Sequence, residues 1–311
     1  MQPLSRDRSD VDRLIELLTN HSRLFVLTGA GCSTDSGIPD YRDVEGRWKR
    51  AAPVQYRDFL RSESVRRRYW ARSLIGWPHF ARARPSSAHH ALARLESAGR
   101  IAQIVTQNVD GLHQRAGSRR VLDLHGRLEF VDCLGCGHRL PRAELQEWLV
   151  AHNPALAPLC AQVAPDGDAH LEDLGFDRFQ VPVCPYCGGV LKPAVVFFGE
   201  SVPQPRVLRA LDRLREADAV LVVGSSLMIF SGYRFCREAT LTAKPVAALN
   251  LGRTRADAEL ALKVVGDCTS VLPGVVDRLL SDAGDLETPS SEDGRWGASR
   301  RADSAGSTRH G

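Results

Sequence analysis

Two pairs of cysteines have the spacing of a metal site. Cys133 and Cys136 form one Cys-x-x-Cys pair, and Cys184 and Cys187 form a second. Each pair can present two thiolates to one tetrahedral ion, and four thiolates fill its coordination sphere. No position is then left for a catalytic water. The spacing therefore predicts one structural zinc ion, with thiolate-bound iron as an alternative metal and His138 as an alternative ligand.

A glycine-rich turn follows the short apolar run Leu24–Leu27 and Thr28. A run of this kind is typical of a strand that is buried on both faces of a parallel sheet. Gly29, Ala30 and Gly31 let backbone N–H groups approach an anion, although a tight structural turn uses the same residues. A dehydrogenase would carry an acidic residue about 20 positions further on. Two alanines stand there instead, so the turn favours a loop that covers a nucleotide over hydride transfer.

Other apolar runs also end in polar or small residues. They are Ile101–Val105 before Thr106-Gln107-Asn108-Val109-Asp110, Val121–Leu124 before His125, Ala219–Val223 before Gly224-Ser225-Ser226, Val246–Leu249 before Asn250-Leu251-Gly252, and Val264-Val265 before Gly266-Asp267-Cys268. Parallel sheets bind ligands at the carboxyl ends of their strands, so these residues are predicted to share one binding edge. His125 fits a structural role or a general base, since the ordinary histidine pKa of about 6.5 suits proton abstraction near neutrality.

These motifs resemble the signature of the sirtuins, the NAD-dependent protein-lysine deacylases. The similarity is carried by GAGCSTDSGIPDYR (29–42), TQNVDGLH (106–113), LHG (124–126), the cysteine pairs, KPAVVFFGE (192–200) and GSSL (224–227), in family order over residues 11–280. RYWAR (68–72), GWP (76–78) and SGYRF (231–235) are most similar to the class II branch, which includes an animal mitochondrial sirtuin. Tyr41 and Ser225 replace a commoner phenylalanine and threonine, and neither change removes a group that the reaction needs.

The resemblance implies a role for most of these residues. His125 stands where sirtuins keep their general base, and Asn108 is the second residue implied to be catalytic. The residues implied to bind NAD are Gly29, Ala30, Gly31, Ser33, Ile38, Pro39, Asp40, Tyr41, Arg42, Gln107, Asn108, Asp110, Gly224, Ser225, Ser226, Asn250, Leu251, Gly252 and Cys268. Within this set Gln107 and Asn108 would contact the nicotinamide ribose, Asn250 the adenosine ribose, and the Cys268 backbone the adenine.

The resemblance also implies a tunnel for the acyl-lysine, flanked by Val195, Phe197 and Phe198. Tyr69 and Arg72 are three residues apart and so share one face of a helix. Sirtuins that remove acidic acyl groups carry a Tyr-x-x-Arg pair in a corresponding helix, and Arg72 would then pair with a carboxylate on the acyl chain. The alternative is that this arginine-rich stretch is a solvated face whose apolar stems pack on the core.

The succession of strands and helices along the sequence predicts a doubly wound, Rossmann-like α/β fold. A smaller helical and zinc-knuckle module is predicted to be inserted into it. The catalytic domain is predicted over residues 1–280, with Rossmann-like parts at about 10–45, 84–126 and 193–280. A helical insertion at about 46–83 and a zinc module at about 127–192 interrupt it.

Further segments carry expectations of their own. Residues 192–200 are predicted to rejoin the parallel sheet, and a closing helix is predicted at 272–280. The long polar stretch 153–182 is predicted to be an insertion that leans toward the substrate channel. Residues 281–311 have almost no large apolar side chains, which predicts a disordered tail.

Composition excludes several classes of function. The chain has 41 basic and 37 acidic residues, and its net charge of +4 is too small to indicate nucleic acid binding. No apolar run reaches the length of a membrane span, and the first ten residues lack the apolar core of a secretory signal, so we expect neither feature. Paired cysteines indicate a metal rather than disulfides. We therefore expect a cytoplasmic monomer whose partners are acyl-lysine proteins.

The sequence favours an NAD-dependent protein-lysine deacetylase or deacylase that transfers the acyl group to ADP-ribose and releases nicotinamide. A protein ADP-ribosyltransferase would use the same site. An NAD-sensing module with a zinc knuckle for partner binding is a third interpretation, which the presence of His125 disfavours. A zinc-ribbon nucleic acid binder lacks a basic patch beside its knuckles.

Overall fold

The computed structural model describes residues 9–49, 53–159 and 176–284. The helices in these ranges are α1 (Asp10–Asn20), α2 (Tyr56–Arg61), α3 (Glu63–Arg82), α4 (Ser87–Ser97), α5 (Leu112–Arg115), α6 (Arg142–His152), α7 (Gln204–Glu216), α8 (Phe230–Leu241) and α9 (Cys268–Gly284). The strands are β1 (Leu24–Thr28), β2 (Ile101–Thr106), β3 (Val121–Asp123), β4 (Gly126–Cys133), β5 (Arg139–Pro141), β6 (Leu191–Val195), β7 (Ala219–Val223), β8 (Val246–Leu249) and β9 (Leu262–Val264).

Six of these strands form one parallel sheet. Its order is β3-β2-β1-β7-β8-β9, and all neighbouring strands run in the same direction. The strand order extends outward from β1 on one side and from β7 on the other, so the winding of the chain reverses between them. The carboxyl ends of these two strands lie side by side, with Thr28 paired to Val223. Open parallel sheets bind ligands at this reversal point.

Helices cover both faces of the sheet because its central strand is apolar on both. Leu24 and Val26 of β1 lie in a core to which α1, α4 and α9 contribute. Phe25 and Leu27 lie in the opposite core, to which α7 and α8 contribute. Successive strand residues point to opposite faces, so a continuous apolar run requires two covering layers. The predicted doubly wound fold is confirmed.

A smaller module is inserted into this sheet. Its strands β5-β4-β6 form an antiparallel sheet, and helices α2, α3 and α6 pack beside it. The module has an apolar core of its own that includes Phe59, Trp70, Val131, Leu149 and Leu191. Helix α3 begins where the Ser62 hydroxyl accepts a hydrogen bond from the Val65 N–H. The four cysteines of the predicted zinc site belong to this module.

One segment differs from its predicted place. The sequence predicts that residues 192–200 rejoin the parallel sheet, but β6 pairs antiparallel with β4, and the chain returns to the parallel sheet only at β7. An apolar run indicates a buried strand without showing which sheet it joins. Helix α8 and strands β4 and β5 carry no clear sequence signal, and α9 is longer at both ends than the predicted helix.

Two predicted segments lie largely outside the described residues. These are the proposed insertion, of which 160–175 is not described, and the proposed tail from 285 onward. The described ends of the insertion are joined, because Asn153 Oδ1 accepts a 2.7 Å hydrogen bond from the backbone N–H of Gln180. No helix within the described ranges is long and apolar enough to cross a membrane.

Candidate active site and metal centre

Two glycine turns interlock where β1 and β7 end. The backbone N–H of Gly31 donates to the Gly224 carbonyl at 2.8 Å. A Cβ on Gly29 would lie 2.7 Å from the Cβ of Ser225. Gly224 has a φ of 60°, and a Cβ there would lie 2.6 Å from the backbone nitrogen of Cys32. Side chains at these positions would force the turns apart, so the glycines bring two loops of backbone together at the reversal point.

Polar side chains after β2 are tied to the first of these turns. Asn108 Nδ2 donates to the Gly29 carbonyl at 3.0 Å and to Ser33 Oγ at 3.1 Å. The Ser33 hydroxyl in turn donates to Asp110 at 2.7 Å. Burial raises the pKa of the Asp110 carboxyl, while hydrogen bonds from Leu112 and Ser33 oppose that rise. This network fixes the carboxamide of Asn108 beside the turn.

His125 is held at both of its ring nitrogens. Nδ1 lies 2.9 Å from the Gln107 carbonyl oxygen, and Nε2 lies 2.8 Å from Ser231 Oγ. A carbonyl oxygen only accepts, so Nδ1 carries the hydrogen, and Nε2 of a neutral ring has the free lone pair. Burial lowers the pKa of His125 to about 4, an effect that the Gln107 carbonyl opposes and the charges of Arg206 and Arg234 reinforce. Near neutral pH the ring is therefore a base at Nε2.

One cavity of about 1060 Å³ joins these groups. Its wall contains His125 and every residue that the sequence assigns to NAD binding, from Gly29 in the first turn to Cys268 at the start of α9. It also contains the aromatic and aliphatic residues assigned to the acyl-lysine, Tyr69, Val195, Phe197 and Phe198. The predicted binding residues thus lie together, while their individual contacts with NAD and substrate remain predictions.

The two residues of the Tyr-x-x-Arg pair differ in their relation to the cavity. It lies on α3 three residues after Tyr69, but only Tyr69 is in the cavity wall. Residues three apart on a helix point about 60° away from each other, so one can face a cavity that the other does not reach. The ring of Tyr69 packs on Phe59 and Phe197, with centroid distances of 5.4 Å in both pairs. The wall around Tyr69 is therefore apolar.

Aromatic rings connect the nucleotide loop to the acyl-lysine segment. Trp48 packs edge-on against Tyr41 at 6.0 Å and against Phe198 at 5.4 Å between centroids. The Arg42 guanidinium lies 4.0 Å above the Trp48 ring and donates to the Gly46 carbonyl at 2.7 Å. Trp48 therefore contacts both the loop after the first glycine turn and the Phe198 segment.

Two contacts of the site could not be recognised from the sequence. One is the contact of Ser231 with His125, although Ser231 lies in the quoted segment SGYRF (231–235). The other is a buried ion pair in which Lys192 Nζ lies 3.0 Å from Glu200 Oε2, while this carboxylate also accepts from the Phe197 N–H at 2.8 Å. The pair fixes the backbone at Phe197. Both residues belong to a quoted motif, but the sequence does not show that its two ends meet.

The four paired cysteines converge in space. The Sγ atoms of Cys133 and Cys187 are 3.5 Å apart, those of Cys136 and Cys184 are 3.7 Å apart, and all four lie within 4.8 Å of one another. A tetrahedral zinc–thiolate site with bonds of about 2.3 Å needs sulfur separations of about 3.8 Å. The donor set therefore fits a zinc ion. The ring of His138 is not in this group and packs on Tyr186 at 4.2 Å between centroids.

Replacing Gly126 with alanine should destabilise the fold and displace His125. Gly126 has a φ of 82°, and a Cβ there would lie 2.1 Å from the Ala194 carbonyl oxygen. We expect a loss of about 1–2 kcal/mol from the backbone conformation and roughly 1–3 kcal/mol from the overlap. Denaturant unfolding measures this loss. Gly99→Ala is the matched control, because Gly99 has a φ of 76° with nothing within 4 Å. Equal losses in the two variants would contradict the packing argument.

Three histidines should make stability depend on pH. Burial lowers the pKa of His89 and of His125 to about 4, and that of His113 well below its usual range. Their unfolded pKa is about 6.5, so the unfolded chain binds more protons below that pH. We expect the free energy of unfolding at pH 5.5 to be roughly 3–4 kcal/mol lower than at pH 7.5.

The control for this prediction is His89→Asn, which should show about two thirds of the pH dependence because one of the three titrating histidines is gone. Burial raises the carboxyl pKa of Asp110 and Asp123, which acts in the opposite direction at lower pH. The comparison therefore ends at pH 5.5. Urea unfolding curves at the two pH values measure the effect, and an unchanged free energy would contradict it.

A reversal-point cavity with a neutral imidazole, beside a separate four-thiolate module, defines a nucleotide-binding α/β enzyme with a structural metal. The Sir2 family model matches residues 29–231 of the chain. A Xanthomonas campestris protein named "NAD-dependent protein deacetylase" is 60% identical over 259 residues, which cover 83% of this chain and 88% of that one. The chain therefore belongs to the Sir2 family.

Two further comparisons agree with this membership. The Drosophila melanogaster protein named "NAD-dependent protein deacylase Sirt4" is 45% identical over 271 residues, which cover 86% of this chain and 87% of that one. A solved structure described as a crystal structure of a Sir2 homolog–NAD complex has a TM-score of 0.67 and 27% identity, and the match covers 91% of this chain and 97% of that one. The predicted family is confirmed, while the class II assignment stays a prediction.

Proposed function

We propose that this chain takes acyl groups from lysine side chains of proteins and transfers them to the ADP-ribose part of NAD, releasing nicotinamide. The reaction class is NAD-dependent protein deacylation, in agreement with the names of its relatives. The observation that carries the proposal is His125, a neutral imidazole in the cavity wall whose unprotonated Nε2 can accept a proton. Transfer of an acyl group to a ribose hydroxyl needs such a base.

The two glycine turns form the proposed nucleotide side of the site. Backbone N–H groups near Gly29–Gly31 and hydroxyls near Gly224–Ser226 can hold phosphate and ribose oxygens. Asn250 and Cys268 lie in the same wall, where the proposal places the adenosine. The relative order of these groups along one edge supports an extended dinucleotide, with its nicotinamide end near Asp110 and His125.

The chemistry requires positioning more than a strong nucleophile. NAD supplies the ribose carbon that accepts the acyl oxygen as nicotinamide leaves. Asn108 is fixed by hydrogen bonds to Ser33 and the Gly29 carbonyl. It holds the ribose so that its reactive carbon faces the acyl oxygen. His125 then accepts a proton from the ribose hydroxyl, and water releases the free lysine and 2′-O-acyl-ADP-ribose.

The loop after the first glycine turn is proposed to exclude water until the acyl-lysine is bound. An early water at the reactive ribose would waste NAD. Asp40 pairs with Lys49 across the loop, and Trp48 joins the loop to Phe198. Acyl-lysine that orders the Phe198 segment would therefore also order the loop. This link makes nicotinamide release depend on the presence of substrate.

The acyl group is proposed to be uncharged. It would lie against Tyr69, Val195 and Phe197, which form an apolar part of the wall. Arg72 lies outside that wall, which favours an uncharged acyl group over an acidic one. Desolvating a carboxylate without a partner is costly.

The proposal also covers the metal, the location, the oligomeric state and the partners of the protein. We propose that the four cysteines hold a zinc ion that stabilises the small module and takes no part in the reaction. We also propose a cytoplasmic monomer that acts on acyl-lysine proteins and binds neither nucleic acid nor membrane, and the small net charge of +4 supports the absence of nucleic acid binding. We also propose the boundaries of the catalytic domain and of its two insertions that the sequence predicts.

The proposal is tested by nicotinamide release from NAD with one peptide sequence whose lysine is unmodified, acetylated, long-chain acylated or glutarylated. We expect release with the acetyl or long-chain peptide and none with the unmodified or glutaryl peptide. Release without any peptide, with ADP-ribose attached to protein, would favour the ADP-ribosyltransferase interpretation. NAD binding without release under any condition would favour the NAD-sensing module.

A further inference from the structure

Helix α8 packs directly on the residue that holds His125. A Cβ on Gly232 would lie 2.5 Å from Gln107 Oε1, so a larger residue there would require the Gln107 carboxamide to move. Gln107 Nε2 donates to Ser225 Oγ at 2.7 Å, while its backbone carbonyl holds His125 Nδ1. Ser231 precedes Gly232 and is thereby placed against Nε2. The contact is part of a closely packed unit and does not depend on a mobile surface side chain.

The direction of the Ser231 hydrogen bond follows from its partner. Nε2 of the neutral ring has a lone pair and no hydrogen, so the Ser231 hydroxyl is the donor across 2.8 Å. Serine oxygen also has lone pairs that can accept a hydrogen bond from another group. Ser231 and His125 both lie in the cavity wall. A ribose hydroxyl in that cavity therefore meets a base whose accepting nitrogen is already occupied.

This arrangement has a consequence for proton transfer. Direct transfer to His125 would first require the ribose hydroxyl to displace Ser231 from Nε2. That displacement would break a charge-neutral hydrogen bond and leave the serine hydroxyl to find another partner. Transfer through Ser231 needs no displacement, because a hydroxyl can accept one proton as it gives up another.

We propose that Ser231 carries the proton from the ribose hydroxyl to His125 during acyl transfer, an inference that rests on the proposed function. The ribose O–H bond breaks and a new O–H bond forms on Ser231 Oγ. The original serine O–H bond breaks as an N–H bond forms at Nε2. The ribose oxygen keeps the electron pair and attacks the acyl carbon, and His125 becomes an imidazolium that keeps its Nδ1–H bond to Gln107.

The first test separates two stages of the reaction in Ser231→Ala and Ser231→Thr. Exchange of labelled nicotinamide into NAD, with acyl peptide present, reports the stage before the base acts. Single-turnover formation of acyl-ADP-ribose reports the stage that uses it. In Ser231→Ala we expect exchange to change less than about twofold and acyl transfer to fall about 10- to 100-fold. Threonine keeps the hydroxyl and should restore most of the acyl-transfer rate.

The second test is the solvent deuterium dependence of acyl transfer in single turnover. Transfer of more than one proton in the wild type predicts a curved dependence on deuterium fraction, which becomes linear in Ser231→Ala. A linear wild-type dependence, equal losses in both stages, or unchanged acyl transfer in Ser231→Ala would each overturn the proposal. If the wild type shows neither exchange nor acyl transfer with any acyl peptide, the proposed function itself fails.

Discussion

Replacing His125 with alanine should lower the rate of acyl transfer by about 10²- to 10⁴-fold while the protein stays folded and binds NAD. The ring is the base of the proposed reaction, and its Nε2 is unprotonated near neutral pH because burial lowers the pKa of His125 to about 4. The proposed nucleotide contacts come mainly from the two glycine turns, which hold each other through backbone contacts and do not depend on this ring.

Single-turnover formation of acyl-ADP-ribose measures the loss, with calorimetric NAD binding and thermal unfolding as checks on integrity. His90→Ala is the matched control, since His90 is an exposed histidine on α4 and is not in the cavity wall. It should retain wild-type rates. Acyl transfer at the wild-type rate in His125→Ala would remove this residue from the mechanism.

Replacing Cys184 with serine should abolish zinc binding and unfold the small module. A serine hydroxyl is a poor fourth ligand for zinc. The two cysteine pairs stand at the two ends of one chain segment, so a zinc ion bound to all four thiolates would hold these ends together. Structural zinc contributes free energy on the order of 10 kcal/mol in small metal-folded domains. We therefore expect the Tm to fall by more than about 10 °C. The module also carries Tyr69 and Val195, so acyl transfer should be lost with it.

The metal content per chain and the thermal unfolding curve measure this effect. His138→Ala is the control, because the ring of His138 lies beside the site but outside the four-thiolate group. This variant should keep its zinc and most of its stability. Full zinc occupancy in Cys184→Ser, or zinc loss in His138→Ala, would contradict the four-cysteine assignment.

The ligand-binding edge could be predicted because each part of it is local in the sequence. Ile101–Val105 is an apolar run directly followed by Gln107 and Asn108, and parallel strands that end in polar residues meet at one edge. The zinc site was predictable for the same reason, since each cysteine pair is a local motif. The structure adds that Cys133 Sγ lies 3.5 Å from Cys187 Sγ of the other pair, which spacing does not reveal.

The contacts between distant segments could not be predicted. Ser231 and His125 are 106 residues apart, and a serine near the start of a helix has no pattern that indicates a catalytic neighbour. The prediction that β6 joins the parallel sheet was wrong for a related reason, because the composition of a strand does not show which sheet it joins. The spacing of Tyr69 and Arg72 predicts that they share one face of a helix. Of these two residues only Tyr69 lines the cavity, because the position of the cavity relative to the helix depends on tertiary packing.

The most direct test of the central claim is the fate of the acyl group. Wild-type protein, NAD and a peptide carrying an isotopically labelled acetyl-lysine are incubated, and the products are identified by mass spectrometry. The account predicts equal amounts of nicotinamide, free-lysine peptide and labelled acetyl-ADP-ribose. Labelled acetyl that stays on the peptide while ADP-ribose appears on protein would contradict it.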